Sequence, residues 1–168
     1  MLLGIGNEYR HDDGVGLIVV RHLKAKALPH VIAIESREGL TALEACHKAD
    51  FVIVADAVVS GVEPGTICRL QAHVEPLPRQ VFRGSTHTFG VAEVIALARA
   101  LNQLPRRLIV YGIEGKNFAP RTGLSEAVEK AVPEAIARIV QEIVELDIGQ
   151  EADADAHAPK CDLGEGEV

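Results

Sequence analysis

The chain is poor in aromatic side chains. Phe, Tyr and Trp together make up 4% of its 168 residues, and tryptophan is absent, so a core has to be built from aliphatic groups. Cysteine is scarce as well. Cys46, Cys68 and Cys161 form no CxxC pair and are odd in number, which speaks against a disulfide framework and fits a reducing compartment. No stretch approaches the roughly 18 apolar residues that span a bilayer. No basic segment followed by an apolar one opens the chain, so no signal peptide is expected. A cytoplasmic protein with no membrane partner is the expectation. Positive charge is not in excess either, and a net charge of −7 argues against a nucleic-acid partner.

What is present describes an ordinary globular chain. Hydrophobic residues make up 48% and charged ones 24%, values that exclude wholesale disorder. The length fits one domain, able to bury about 70% of its unfolded surface without disulfides or a structural metal. The acidity is unevenly placed. Residues 149–168 hold six carboxylates against Lys160, a net of −5, which leaves −2 for residues 1–148. A single domain over 1–148 and an acidic, disordered tail over 149–168, dispensable for activity, are therefore expected.

Strand and helix patterns alternate along the domain. Residues 1–4 read as a short first strand ending at Gly4-Ile5-Gly6-Asn7, and a polar turn carries His11, Asp12 and Asp13. Helical spacing covers 14–28 until Pro29 stops it. A strand over 31–35 and a helix over 40–48 follow. Phe51-Val52-Ile53-Val54-Ala55 is a continuous β-branched run, which suits a parallel strand covered on both faces, and it ends at Asp56. Further strands are predicted over 66–70 and 106–113, with helices over 89–101 and 125–146. Ser85, Thr86 and Thr88 are cap candidates for the first of these helices and Ser125 for the second, while Pro133 is a place for a bend. The alternation implies an α/β fold: a three-layer α-β-α sandwich around a mostly parallel, twisted sheet of about five strands. Ligands of such sheets sit beyond the carboxyl ends of the strands, which directs attention to the loops after Gly4, Ala55 and Ile113 and to His87.

Gly4-x-Gly6 looks like the start of a dinucleotide fingerprint, but Tyr9 stands where the third glycine belongs, and Asp12 and Asp13 would repel a pyrophosphate. A tight strand-to-helix turn accounts for the glycines as well, and no cofactor-binding residues follow from them. Of the two adjacent aspartates, one can cap the helix while the other projects into a cleft. An unpaired carboxylate at Asp56 would be costly to bury at the end of so apolar a strand, so it is either a loop cap or a ligand. His87, alone among small polar residues, is a capping residue or a ligand. The histidines show no HxxxH or HxH zinc spacing. Taken together, Asp13, Asp56 and His87 map to one edge of the sheet. Two carboxylates and one imidazole make an open site for a borderline divalent metal such as nickel or zinc.

These residues also carry a resemblance. Gly4-Ile5-Gly6-Asn7, Asp13-Gly14-x-Gly16, Val52-Ile53-Val54-Ala55-Asp56-Ala57 and Ser85-Thr86-His87-x-x-Gly90 resemble, in that order, the hydrogenase maturation proteases. Val110-Tyr111-Gly112-Ile113-Glu114-Gly115 and Leu124-Ser125-x-Ala127-Val128 extend the match over residues 1–146. The resemblance implies an aspartic-type endopeptidase that removes a C-terminal peptide from the large-subunit precursor of nickel–iron hydrogenases after nickel insertion. It implies that Asp13, Asp56 and His87 recognise Ni2+ carried by that precursor, whose own cysteines supply the softer ligands, and other divalent metals would also fit the site. Water would then attack a peptide carbonyl, with Asp12 and Glu114 as candidates for the general base. A nickel-dependent chaperone or checkpoint protein on the same fold is the alternative, and a nucleotide-binding domain a third reading. Nothing in the sequence demands more than a monomer. Two departures stand out: the apolar stretch before Gly4 is short, and Glu35-Ser36-Arg37-Glu38-Gly39 replaces a Gly-Gly-Thr-like loop.

Overall fold

A computed structural model describes residues 1–37, 49–78 and 90–156. The elements run β1 (Leu2–Ile5), a 3-10 turn (His11–Gly14), α1 (Val15–Ala25), β2 (Ala33–Ser36), β3 (Phe51–Val58), β4 (Ile67–Gln71), α2 (Val91–Ala100), β5 (Arg107–Glu114) and α3 (Glu126–Ala156). The five strands form one sheet in the order β2-β1-β3-β5-β4. All neighbours are parallel except β4, which runs antiparallel to β5. The expected α/β sheet of about five mostly parallel strands is the one observed.

The strand patterns explain the layers. Alternate residues of β3 point to opposite faces, and both faces are covered. Ile53 and Ala55, with Ile109, Tyr111 and Ile113, pack against Val15, Val19 and Leu23 of α1 and Val128, Val132 and Ile139 of α3. Val52, Val54 and Val58, with Leu108 and Val110, share the opposite core with Val91, Ala92 and Ile95 of α2. The result is the three-layer sandwich, and its interior is aliphatic: Tyr111 is the one aromatic among the buried residues described. On the outer side of the sheet Glu142 of α3 accepts from Arg69 Nε at 2.5 Å, Arg69 Nη2 at 2.8 Å and Tyr111 Oη at 2.9 Å. This ties the helix to β4 and β5. The Arg69 guanidinium, against the opposing effect of burial, holds the Glu142 carboxyl below its usual range.

Several boundaries differ from the sequence reading. Strand β3 does not end at Asp56 but runs on to Val58, because Asp56, Ala57 and Val58 continue in register with Gly112, Ile113 and Glu114 of β5. Helix α1 stops at Ala25, and the chain turns through left-handed residues Ala27 and His30 on either side of Pro29. Helix α2 begins at Val91 with Gly90 at its N-cap. The cap candidates Ser85, Thr86 and Thr88 lie outside the described residues, as does the helix expected over 40–48. Helix α3 passes through Pro133 and reaches Ala156, ten residues past the end of its apolar face. The added stretch holds three Ala and three Asp, and an established helix extends readily through alanine.

The glycines of the first loop are explained by crowding. A Cβ on Gly16 would lie 2.3 Å from the Ala55 carbonyl oxygen and 2.4 Å from that of Ile5, and one on Gly4 would lie 2.5 Å from the Gly16 oxygen. Helix α1 therefore starts in direct backbone contact with the ends of β1 and β3. Gly16→Ala should push α1 off the sheet at a cost on the order of 2 kcal/mol. Thermal unfolding should show a Tm lower by roughly 4–8 °C; an unchanged Tm would mean that this contact is not tight.

Candidate active site

The chain reverses its direction of travel across the sheet between β1 and β3: β1 leads to β2 on one side, and β3 leads outward on the other. A crevice opens at such a switch point, beyond the carboxyl ends of the two strands. Asp13, on the 3-10 turn after β1, and Asp56, near the end of β3, both lie there. They are 2% and 3% exposed. Asp56 shares the strand face of Val54 and Val58 and so faces the layer of α2, the helix that the chain enters shortly after residue 87. His87 itself lies outside the described residues. Two of the three expected site residues are thus brought together from separate elements.

The loop that presents Asp13 is held by its backbone. Asn7 N donates to the Asp13 carbonyl oxygen at 3.2 Å, and Asp13 N donates to Arg10 O at 3.2 Å. Gly6 has φ +146°, and a Cβ there would lie 1.8 Å from the Asp13 oxygen. Glycine is required at that position on both counts. The first motif is therefore a tight support under an aspartate, not a phosphate cradle.

Electrostatics set the two carboxylates against each other. Burial pushes the Asp56 carboxyl well above its usual range, the neighbouring charge of Asp13 pushes it further, and a hydrogen bond from Ala57 N at 2.9 Å opposes the rise only in part. Buried like charges of this kind strain the fold unless a proton or a cation joins them. Among the described residues no third His, Cys, Asp or Glu completes a metal-binding group.

Neither of the remaining carboxylates is a free proton acceptor. Asp12 is fully buried and faces the loop between β5 and α3. Its Oδ2 accepts from Lys116 N and Asn117 N at 2.8 Å and from Ser125 Oγ at 2.9 Å, and its Oδ1 accepts from Ser125 N at 2.6 Å. Burial alone would raise its carboxyl, but the donors of Ser125, Asn117 and Lys116 outweigh it and hold the group below the usual range. Neither aspartate caps the first helix, contrary to expectation: α1 has Gly14 at its N-cap and no side-chain cap, and Asp12 is occupied by a loop more than 100 residues away. Glu114 behaves alike. Its carboxylate accepts from Ser60 N, Ser60 Oγ and Gly61 N at 2.8–2.9 Å and fixes the loop after β3.

Two residues of the site gave little sequence signal. His11 is 8% exposed, adopts a left-handed backbone at φ +55°, and places Nδ1 3.2 Å from Asp12 Oδ1. Arg10 has a buried Nε without a hydrogen-bond partner among the described residues. Neither the burial of these side chains nor a positive φ, which His11 shares with His30, is readable from a sequence.

Comparison with known proteins fits this geometry. The family model described as hydrogenase maturation protease matches residues 19–142. The chain is 28% identical over 146 residues to the hydrogenase 2 maturation protease of Escherichia coli, covering 83% of this chain and 87% of that one. It is 31% identical over 147 residues to the hydrogenase expression/formation protein HupD of Rhodobacter capsulatus, covering 85% and 70%. The solution structure of an endopeptidase from Escherichia coli superposes with a TM-score of 0.74 at 28% identity, covering 86% of this chain and 91% of that one. Among the described residues no helix is long and apolar enough to cross a membrane. The fold, the two buried aspartates at its switch point and a family match over most of the length agree: the chain belongs to the hydrogenase maturation protease family, a family of hydrolases.

Proposed function

We propose that the protein removes a C-terminal segment from the large-subunit precursor of a nickel–iron hydrogenase, and that Asp13, Asp56 and His87 recognise the nickel which the precursor carries. The observation behind this reading is the pair of buried carboxylates, Asp13 and Asp56, converging from β1 and β3 at the switch point. Two carboxylates and an imidazole are hard and borderline donors, too few to fill the shell of a divalent nickel ion. A metal that arrives with thiolates of its own can complete it. An unloaded precursor offers no such bridge, so processing waits for nickel. In the hydrolytic step water adds to the peptide carbonyl, the C–N bond breaks and the leaving amine takes a proton. The backbone-pinned loops at Asp12 and Glu114 keep the crevice in one shape while this happens.

The experiment is incubation of the protein with its cognate precursor, nickel-loaded and nickel-free, followed by intact-mass spectrometry. Loss of a C-terminal peptide in the loaded sample alone is the expected result. A loaded precursor that keeps its full mass while remaining bound would overturn the proteolytic reading and favour a checkpoint role.

A further inference from the structure

The 3-10 turn that carries Asp13 also walls a cleft of about 590 Å³, closed on its other side by the loop between β5 and α3. Lys116 and Arg121 line it, together with His11, Gly123 and Ser125. Both cations are exposed, and among the described residues neither enters an ion pair. Two nearby carboxylates are already matched. Asp12 is saturated by the loop donors described above, and Glu8, on the adjoining hollow, is 3.0 Å from Arg21 and 4.0 Å from Arg37. Among the described residues, therefore, no ion pair offsets the charge of Lys116 and Arg121 at the cleft. Between its walls stands the His11 ring, more than nine-tenths buried, with Nδ1 directed at the Asp12 carboxylate. Its Nε2 has no hydrogen-bond partner among the described residues, and it can meet a peptide N–H or C=O according to the tautomer.

We propose that this cleft is the subsite for an acidic stretch of the segment cleaved from the precursor, with Lys116 and Arg121 meeting its carboxylates and the His11 ring hydrogen-bonding to its backbone. The inference rests on the processing function proposed above. Gly123 (φ +89°) would have open space beyond a Cβ, so a peptide can pass over the loop at that point.

Two measurements test the proposal, and the first does not depend on cleavage. The 15N-labelled full chain is titrated with a capped glutamate pentapeptide, a capped glutamine pentapeptide and inorganic phosphate at matched ionic strength. The expected result is that the glutamate peptide alone shifts the amides of Gly123, Leu124 and Ser125, and that the double variant Lys116→Glu/Arg121→Glu loses the response. Equal shifts from phosphate, or none from the glutamate peptide, would overturn it. The second measurement is steady-state cleavage of nickel-loaded precursor. The double variant should raise KM roughly tenfold with kcat within about twofold, while Lys24→Glu/Lys26→Glu, on the exposed end of α1, should leave both unchanged. An unchanged KM in the Lys116/Arg121 variant refutes the subsite. A wild-type protein that cleaves nothing refutes the processing function instead, and the titration still judges the cleft.

Discussion

Asp56→Asn should lower cleavage of nickel-loaded precursor by about 10³-fold and, in the same molecule, raise the melting temperature. The first effect follows from charge. One unit charge about 4 Å from another is worth roughly 4 kcal/mol at an effective dielectric constant of 20, and that difference corresponds to a factor of about 10³. The second effect follows from burial. The Asp56 carboxylate is 3% exposed and sits beside Asp13, whereas asparagine keeps the shape and the acceptor for Ala57 N without the charge. Relief on the order of 1–2 kcal/mol gives a rise in Tm of roughly 3–6 °C.

The pH dependence has a definite sign. A carboxyl whose folded pKa is raised penalises the native state above that pKa, and the penalty fades as pH falls through it toward the unfolded value of 3.8. The metal-free wild type should accordingly gain stability on mild acidification, relative to Asp56→Asn, and thermal unfolding across pH shows whether it does. Wild-type turnover by the variant would remove Asp56 from metal recognition. A lower Tm would refute the mutual repulsion of the two aspartates. Function retained at the expense of stability is the usual mark of a binding site awaiting its ligand.

The fold was legible because its strands are apolar runs with few competing readings. Val52-Ile53-Val54-Ala55 reads as a buried parallel strand, whereas Pro29 marks the end of the first helix only loosely, since α1 stops at Ala25. Asp13 and Asp56 were legible as a pair because parallel topology sends both loops to the same edge, whatever the exact packing. What was not legible are contacts made across the sequence. Nothing local distinguishes Asp12 from Asp13, and their division of labour depends on donors at 116, 117 and 125. Glu114 is in the same position, because its donors at Ser60 and Gly61 lie in a different loop. Ser125 reads as a helix cap, and its hydroxyl instead donates to Asp12 at 2.9 Å. The continuation of β3 past Asp56 depends on pairing with Ile113 and Glu114, so an aspartate that looks like a strand end lies inside the strand.

Asp12→Ala should be the most destabilising single substitution in the site, although it leaves the proposed metal ligands in place. The carboxylate is wholly buried and gathers four donors from Lys116, Asn117 and Ser125. Truncation strands three backbone N–H groups away from water, and removing one partner of a buried charged network costs about 3–5 kcal/mol, a fall in Tm of roughly 10–15 °C. Asp12→Asn should recover little of it, because one of its two polar atoms becomes an N–H donor facing donors. The acid limb provides an independent check. A carboxyl with a lowered folded pKa contributes stability above the unfolded value of 3.8 and loses it as pH falls through the folded one, so wild-type unfolding below about pH 4 should be steeper than that of either variant. Circular dichroism against pH measures the slope. If Asp12→Ala instead melts within about 2 °C of wild type and keeps its acid limb, the loop 116–125 is held by other contacts. The cleft that this loop walls would then not depend on the turn beneath Asp13.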